Sequence, residues 1–179
     1  MTATALVPIA NGSEDIESVT IIDVLRRAGV EVTVASVHAD ATVTAARETR
    51  ITADTLITDC SDRTFDLIAL PGGMPGARNL GDSAPLVGML RAQKEAGRLY
   101  GAICAAPAVA LEPNGLLEGH AATAHPGFQS KLTNQSRIGE RVVVDGHCMT
   151  SQGPGTALAF ALTLVEHLCG RAKRDEVAA

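Results

Sequence analysis

Short runs of apolar, mostly β-branched residues alternate along the chain with longer stretches of helical periodicity. Several of these runs are almost continuously apolar, which is typical of parallel strands buried on both faces. The predicted strands are Ala5–Ile9, Glu31–Ser36, Asp66–Leu70, Leu99–Ile103, Ala121–Ala124 and Arg141–Val144, with a further short strand at Cys148–Thr150. This alternation predicts a single doubly wound α/β domain with a mostly parallel sheet.

Helices are predicted at residues 14–28, 85–96 and 156–168, and a further helix is predicted directly after Cys104. The first helix carries an apolar stripe predicted to face the core, formed by Ile16, Val19, Ile22 and Leu25. Residues 38–59 are threonine-rich and weakly periodic, which indicates a small hairpin. We assign residues 1–170 to the domain and residues 171–179 to a polar tail that frays.

Composition and charge narrow the classes of function. Hydrophobic residues make up 46% of the 179 residues and aromatic residues only 2%, so the core must consist of aliphatic side chains. The net charge of -5 argues against nucleic-acid binding, because neutralising phosphates requires a basic surface. No basic leader or apolar run of membrane-spanning length is visible, so we expect a cytoplasmic location. Four cysteines without a CxxC pair indicate buried or reactive thiols rather than disulfides.

The strongest local signal surrounds Cys104. An apolar strand ends at this residue, small residues flank it, and a helix-forming stretch follows at once, which is the layout of a nucleophile elbow. A thiol at the start of a helix is expected to have a lowered pKa, and the thiolate is its reactive form. A buried structural cysteine is the alternative explanation of the same pattern.

Two other loops are predicted to reach the same edge of the sheet. Gly72 and Gly73 follow a strand, and their flexible backbone can direct N–H groups into a pocket as an oxyanion hole, although a plain glycine turn has the same sequence. His125 follows the predicted Ala121–Ala124 strand and could stabilise a thiolate or transfer protons. A packed or surface histidine is the alternative.

Glu17 lies one turn into the first predicted helix, directly after the first strand. Its place between Ile16 and Val19 indicates partial burial, which would raise the pKa of the carboxyl and suit it to proton exchange. A solvated helix charge is the alternative.

Taken together and in order, these motifs resemble the ThiJ/PfpI superfamily, and closely its Parkinson-disease-linked deglycase and YajL-like branch. The resemblance covers almost the whole chain. Its markers are residues 12–17 (GSEDIE), 25–29 (LRRAG), 70–73 (LPGG), 102–107 (AICAAP), 125–126 (HP) and 150–156 (TSQGPGT).

The resemblance implies a flavodoxin-like three-layer α/β sandwich that forms a homodimer, without cofactor or metal. It implies that Cys104 is the nucleophile, that Glu17 is hydrogen-bonded to it, and that His125 is the nearby histidine. It also implies that the backbone N–H groups of Gly73 and Ala105 bind an anion. Arg47 and Arg27 resemble two arginines at the pocket edge of the family.

Two departures from related branches restrict the chemistry, and a third feature concerns the end of the chain. Peptidases of the superfamily place a histidine directly after the nucleophilic cysteine, whereas this chain has Ala105. Glutamine amidotransferases of related fold place a glutamate shortly after their histidine, whereas Pro126 and Gly127 follow His125. The chain also ends soon after the last predicted helix, so we expect no additional C-terminal helix like that of the eukaryotic members.

Three functions remain open. The first is a cofactor-independent glyoxalase or deglycase that acts on methylglyoxal, glyoxal or their adducts through Cys104. The second is a redox-sensing stress protein or chaperone that works through oxidation of Cys104. The third, a peptidase or amidase, is disfavoured by Ala105. The expected partners are a small reactive aldehyde and a second copy of the chain.

Overall fold

The structure of the protein is a computed structural model that describes residues 2–179. Its strands are β1 (Thr4–Ile9), β2 (Glu31–Ser36), β3 (Thr42–Thr44), β4 (Arg50–Thr52), β5 (Thr55–Leu56), β6 (Leu67–Leu70), β7 (Leu99–Ile103), β8 (Val142–Asp145) and β9 (Cys148–Ser151). Its α-helices are α1 (Asp15–Arg27), α2 (Ile57–Cys60), α3 (Gly76–Gly81), α4 (Ala84–Glu95), α5 (Ala157–Cys169) and α6 (Arg171–Ala178).

Seven of the strands form a central sheet in the order β5-β2-β1-β6-β7-β9-β8. All neighbours in this sheet are parallel except β8, which pairs antiparallel with β9. Strands β3 and β4 form a separate antiparallel hairpin, as predicted for residues 38–59. Helices α1 and α5 pack against each other, and α2 and α3 pack against α4. The predicted mostly parallel, helix-flanked sheet of flavodoxin type is confirmed.

The parallel order brings the carboxyl ends of β1, β6 and β7 side by side, because these three strands are neighbours. The loops that leave these ends begin at Ala10, Pro71 and Cys104. Ligands bind at this edge of open α/β sheets, where successive crossovers leave a crevice.

The predicted strand Ala121–Ala124 is wrong. Its backbone N–H groups bind side chains rather than a neighbouring strand: Ala121 donates to Asp145 Oδ2 at 2.7 Å and Thr123 donates to Thr150 Oγ1 at 2.9 Å. The segment is nevertheless buried, since residues 121–124 all lie in the interior. Its apolar composition therefore reflects burial and not strand formation.

The predicted core stripe of the first helix is only partly correct. Leu25 is buried, but Ile16 and Val19 keep 55% and 52% of their surface exposed. The buried face is formed instead by Glu17, Ser18, Ile21, Val24 and Leu25. The buried face of α1 therefore does not coincide with its apolar stripe: a carboxyl group points inward and two aliphatic side chains point outward.

Residues 171–178 form helix α6 rather than the predicted frayed tail, and this helix packs against α5. Arg174 Nη1 lies 3.1 Å from Glu166 Oε2 and joins the two helices. The expectation that no helix follows the last predicted one is therefore wrong as well.

Among residues 2–179, none of the helices is both long enough and apolar enough to cross a bilayer.

Candidate active site

Cys104 occupies the sharp turn at the end of β7. Its φ of +67° lies in the left-handed region, which non-glycine residues adopt rarely and mainly at functional sites. Hydrogen bonds on both sides hold it there: its N–H donates to Ser151 O at 2.9 Å, and its carbonyl accepts the N–H of His125 at 2.8 Å. The predicted elbow is confirmed, and 9% of the surface of Cys104 remains exposed.

No regular α-helix follows this turn, contrary to the sequence prediction. A five-residue π-helical turn, Pro107–Leu111, leads into a short 3₁₀ segment, Glu112–Asn114. Such short helical segments of irregular geometry have a weaker macrodipole than a long α-helix, because fewer peptide dipoles are aligned. The helix dipole therefore contributes less to thiolate formation than the sequence indicated.

Glu17 is completely buried beside this turn. It lies in the first turn of α1, and its Oε2 accepts the backbone N–H of Gly72 at 2.8 Å. Within residues 2–179, Oε1 has no partner in regular hydrogen-bond geometry. The thiol of Cys104 nonetheless lies close enough for the two groups to perturb each other's pKa. The predicted pair is thus brought together, with one carboxylate oxygen still free.

Burial raises the pKa of Glu17 to about 7, against the opposing effect of the Gly72 N–H group. Burial, followed by the negative charge of Glu17, raises the pKa of Cys104 to about 12, although the N–H groups of Gly73 and Ala105 lower it. The predicted lowering of the thiol pKa is therefore wrong. At a pH between these two pKa values, Glu17 and Cys104 together retain one proton, which lies on the sulfur. A thiolate forms when this proton moves from the sulfur to Glu17.

The two glycines of the β6–α3 loop have separate tasks. The N–H of Gly73 faces Cys104 together with that of Ala105, as predicted, whereas the N–H of Gly72 is bound by Glu17 and is not available to an anion. Gly72 is also required sterically, because a Cβ there would lie 2.5 Å from Cys104 Cβ and 2.9 Å from Glu17 Oε2. The N–H of Gly72 therefore does not serve the predicted oxyanion hole but holds the Glu17 carboxyl in place.

A cavity of about 220 Å³ opens over these groups. Its lining comprises Glu14, Arg47, Gly73, Met74, Cys104, Ala105, His125, Phe128 and Pro154. No role was predicted from the sequence for Met74 or Phe128, because each reaches the cavity through a loop with no periodic signal, and Pro154 entered only as part of the marker segment 150–156. A larger groove of about 550 Å³ lies at the opposite edge of the sheet, near the start of β1 and β7, and contains no nucleophile.

His125 reaches the cavity wall although no strand precedes it. The hydrogen bond from its backbone N–H to the carbonyl of Cys104 fixes its position. Its Nδ1 accepts the N–H of Gly127 at 3.1 Å, and its ring packs edge-on against Phe128 with centroids 6.2 Å apart. Among the described residues its ring makes no hydrogen bond to Cys104. His125 therefore borders the site without forming a regular dyad with the thiol.

The two predicted arginines lie in different places. Arg47 lines the cavity. The Asp15 carboxylate holds the backbone there, because it accepts the N–H of Arg47 at 2.8 Å and the N–H of Thr49 at 3.3 Å. Arg27 ends α1, about 15 Å along the helix from Glu17 at a rise of 1.5 Å per residue. It is exposed and bonded to Asp23 at 2.6 Å. The structure does not bring Arg27 to the cavity of its own chain.

The remaining cysteines differ from Cys104. Cys60 and Cys148 each expose about 1% of their surface, and Cys169 is partly exposed on α5. Burial raises the pKa of all three thiols. No group of three or more His, Cys, Asp or Glu side chains within residues 2–179 is placed to hold a metal ion. Cys104 is therefore the thiol that combines a cavity with a carboxyl partner.

The sequence and the fold of the chain are both similar to those of known proteins. Residues 3–167 match the DJ-1/PfpI family. The chain is 52% identical to Protein DJ-1 homolog B of Arabidopsis thaliana over 94% of its own length, but it spans only 38% of that relative. It is 37% identical to a Caenorhabditis elegans protein named glutathione-independent glyoxalase DJR-1.2, over 92% of this chain and 88% of the relative. The solved structure of oxidized Toxoplasma gondii DJ-1 is 46% identical and superposes with a TM-score of 0.97, covering 99% of this chain and 96% of that one.

Proposed function

Since the chain belongs to the DJ-1/PfpI family, we propose that it is a cysteine-dependent, cofactor-independent glyoxalase that acts on methylglyoxal or glyoxal. The observation that carries the proposal is the burial of Glu17 beside Cys104, beneath a cavity that the thiol lines. The relative named a glutathione-independent glyoxalase supports the same reaction class. Deglycase activity on aldehyde adducts would share the first step.

The reaction begins with addition of the Cys104 sulfur to the aldehyde carbon. The thiol proton passes through Glu17 to the aldehyde oxygen, so a neutral hemithioacetal forms. The N–H groups of Gly73 and Ala105 stabilise negative charge that develops on oxygen during the addition. Gly72 takes no part in this stabilisation, because its N–H is bound to Glu17.

The second stage moves one proton between the two carbon atoms and one between their oxygens. Glu17, again a carboxylate, removes the proton from the sulfur-bearing carbon and gives an enediolate with its negative charge on the former ketone oxygen. Glu17 then returns this proton to the adjacent carbon, and the hydroxyl proton passes from the oxygen on the sulfur-bearing carbon to the neighbouring oxygen, which yields a thioester of the 2-hydroxy acid. Water then cleaves the thioester, which releases lactate or glycolate and restores the thiol. The pKa of Glu17, about 7, suits both proton removal and proton return near neutral pH.

The test measures lactate formation from methylglyoxal. We expect Cys104→Ser and Glu17→Gln to lose at least about 100-fold in kcat/KM, as is typical when a nucleophile or a general base is removed. Cys169→Ser is the matched control, since it alters a thiol outside the cavity. Equal activity in wild type and the first two variants would refute the proposal.

A second candidate function is redox sensing, with or without chaperone activity. A protonated Glu17, whose Oε1 has no other partner within residues 2–179, and the N–H groups of Gly73 and Ala105 could donate hydrogen bonds to the oxygens of an oxidised Cys104. Mild peroxide treatment followed by intact-mass and peptide analysis tests this. We expect two added oxygen atoms localised to Cys104. Unmodified Cys104 with oxidation at Cys60 or Cys148 would contradict it.

We also propose that the protein forms a homodimer through the outer face of α1. Ile16, Val19 and Leu158 are large aliphatic side chains with 55%, 52% and 59% of their surface exposed. They lie on α1 and α5, which pack against each other, and we infer that they form one apolar area suited to a second copy. Sedimentation should show dissociation of Val19→Asp, whereas Arg91→Asp on the exposed face of α4 should stay dimeric. A monomeric wild type would overturn the proposal.

A further inference from the structure

A second cavity of about 290 Å³ adjoins the one above Cys104. The two cavities share His125 and Pro154 as lining residues, so they meet at a common wall. Small-molecule sites in proteins commonly span roughly 300–1,000 Å³, which exceeds the space that methylglyoxal alone requires. A ligand that extends from Cys104 past His125 and Pro154 would contact both cavities, which requires an aldehyde with a longer chain.

The far wall of this second cavity carries a guanidinium without a counter-charge. Arg141 directs Nη2 to the carbonyl of Gly155 at 2.8 Å, which fixes the orientation of the planar group. Arg141 forms no ion pair with any residue in the described part of the chain, 2–179. The adjacent carboxylate, Glu140, is bound by Arg137 through contacts of 2.8 and 2.7 Å. The positive charge of Arg141 is thus left available to an anionic ligand.

The loop around this guanidinium is held rigid by buried hydroxyl groups. Ser151 Oγ donates to the carbonyl of Arg141 at 2.7 Å and lies 2.7 Å from Thr156 Oγ1. Thr156 Oγ1 also accepts the N–H of Gly153 at 3.0 Å. Across the cavity, Gly153 lies against the His125 ring, since a Cβ on it would lie 3.4 Å from His125 Cδ2. Such preorganisation lowers the entropic cost of ligand binding.

We propose that this second cavity is a subsite for a carboxylate carried by the aldehyde substrate, with Arg141 as its ligand. The substrate class is then α-oxoaldehydes with an acidic chain, whose aldehyde lies at Cys104 and whose carboxylate reaches over His125 and Pro154. Guanidinium groups bind carboxylates through paired, charge-assisted hydrogen bonds. This inference rests on the proposed glyoxalase function for its reaction, but not for its binding.

The kinetic test compares 4,5-dioxopentanoate with its methyl ester, which lacks the negative charge and carries one additional methyl group. We expect wild type to prefer the acid in kcat/KM. Arg141→Gln should reduce that preference about tenfold, the usual effect of losing one charge-assisted hydrogen bond. Arg141→Lys should retain part of it, and Arg91→Gln, on exposed α4, is the control for the loss of one positive charge. An unchanged preference in Arg141→Gln, or its loss in Arg47→Gln instead, would overturn the proposal.

A binding measurement separates this inference from the proposed reaction. Cys104→Ala protein cannot add covalently to a carbonyl, so calorimetry with 4-oxopentanoate and its methyl ester measures the subsite alone. We expect the acid to bind more tightly and Arg141→Gln to remove the difference. If wild type turns over no α-oxoaldehyde but this discrimination persists, the proposed function fails and the subsite stands. Turnover without discrimination would refute the subsite.

Discussion

The burial of Glu17 predicts an unusual dependence of stability on pH. Folding raises the pKa of this carboxyl from 4.5 to about 7, so the folded state holds its proton more tightly than the unfolded state does. The stability contributed by this group is greatest below pH 4.5 and declines as pH rises towards 7. Above pH 7 the charged carboxylate is buried at a constant cost. Glu17 therefore destabilises the fold under the conditions in which we expect it to act as a base.

The magnitude follows from the pKa difference. At about 1.36 kcal/mol per unit, the cost at pH 8.5 is about 3 kcal/mol, and between pH 5 and pH 8.5 it grows by about 2 to 3 kcal/mol. Glu17→Gln keeps an acceptor for the Gly72 N–H and nearly the same volume, but it cannot ionise. The gain in stability from this substitution should therefore increase by about 2 to 3 kcal/mol over that pH interval.

The assay is urea unfolding of wild type and Glu17→Gln at pH 5 and pH 8.5, at one protein concentration so that association contributes equally. Comparing the change between the two pH values cancels any effect of the amide that does not depend on pH. Glu95→Gln, a surface carboxyl on α4, is the control for charge loss. Parallel pH dependence of wild type and Glu17→Gln would refute the reasoning, because it would mean that Glu17 titrates alike in the folded and unfolded states.

Three further results are expected. The kcat/KM of wild type should rise with pH through about 7, because the pair of Glu17 and Cys104 loses its first proton there, and Glu17→Gln should not show this rise. A flat pH profile of the wild type would contradict the pairing of the two groups. Gly72→Ala should lower kcat/KM about 100-fold, because the added methyl group would displace the Cys104 thiol and the Glu17 carboxyl. Gly88→Ala, where the methyl group would meet open space, should keep the wild-type rate, and equal rates in the two variants would contradict the steric role of Gly72. Glu48→Gly should raise the free energy of unfolding by about 1 kcal/mol in thermal unfolding, because Glu48 has a φ of +68° that glycine adopts without strain. Glu48→Ala should give no such gain, and equal gains in the two variants would exclude relief of backbone strain as the cause.

Much of the fold follows from local patterns. The runs of β1, β2, β6 and β7, rich in apolar and β-branched residues, were predicted as strands, and each is largely buried in the central sheet. The elbow at Cys104 was predictable for a similar reason, because a strand that ends among small residues permits only a few sharp turns. Two of the family markers, residues 70–73 and 102–107, lie at the ends of β6 and β7.

The sequence alone indicated Cys104 as the candidate nucleophile and the edge of the sheet at which it lies, since both depend on neighbours along the chain. Only the tertiary structure decided the protonation of the site, because the pKa of Cys104 depends on its burial and on the charge of Glu17, which lies far away along the chain. The tertiary structure likewise decided that Glu17 is completely buried against the Gly72 N–H group, while Ile16 is exposed. Arg141 became relevant only when the Gly153–Thr156 loop placed it beside His125. Burial and charge are sums over distant neighbours, and no local pattern contains them.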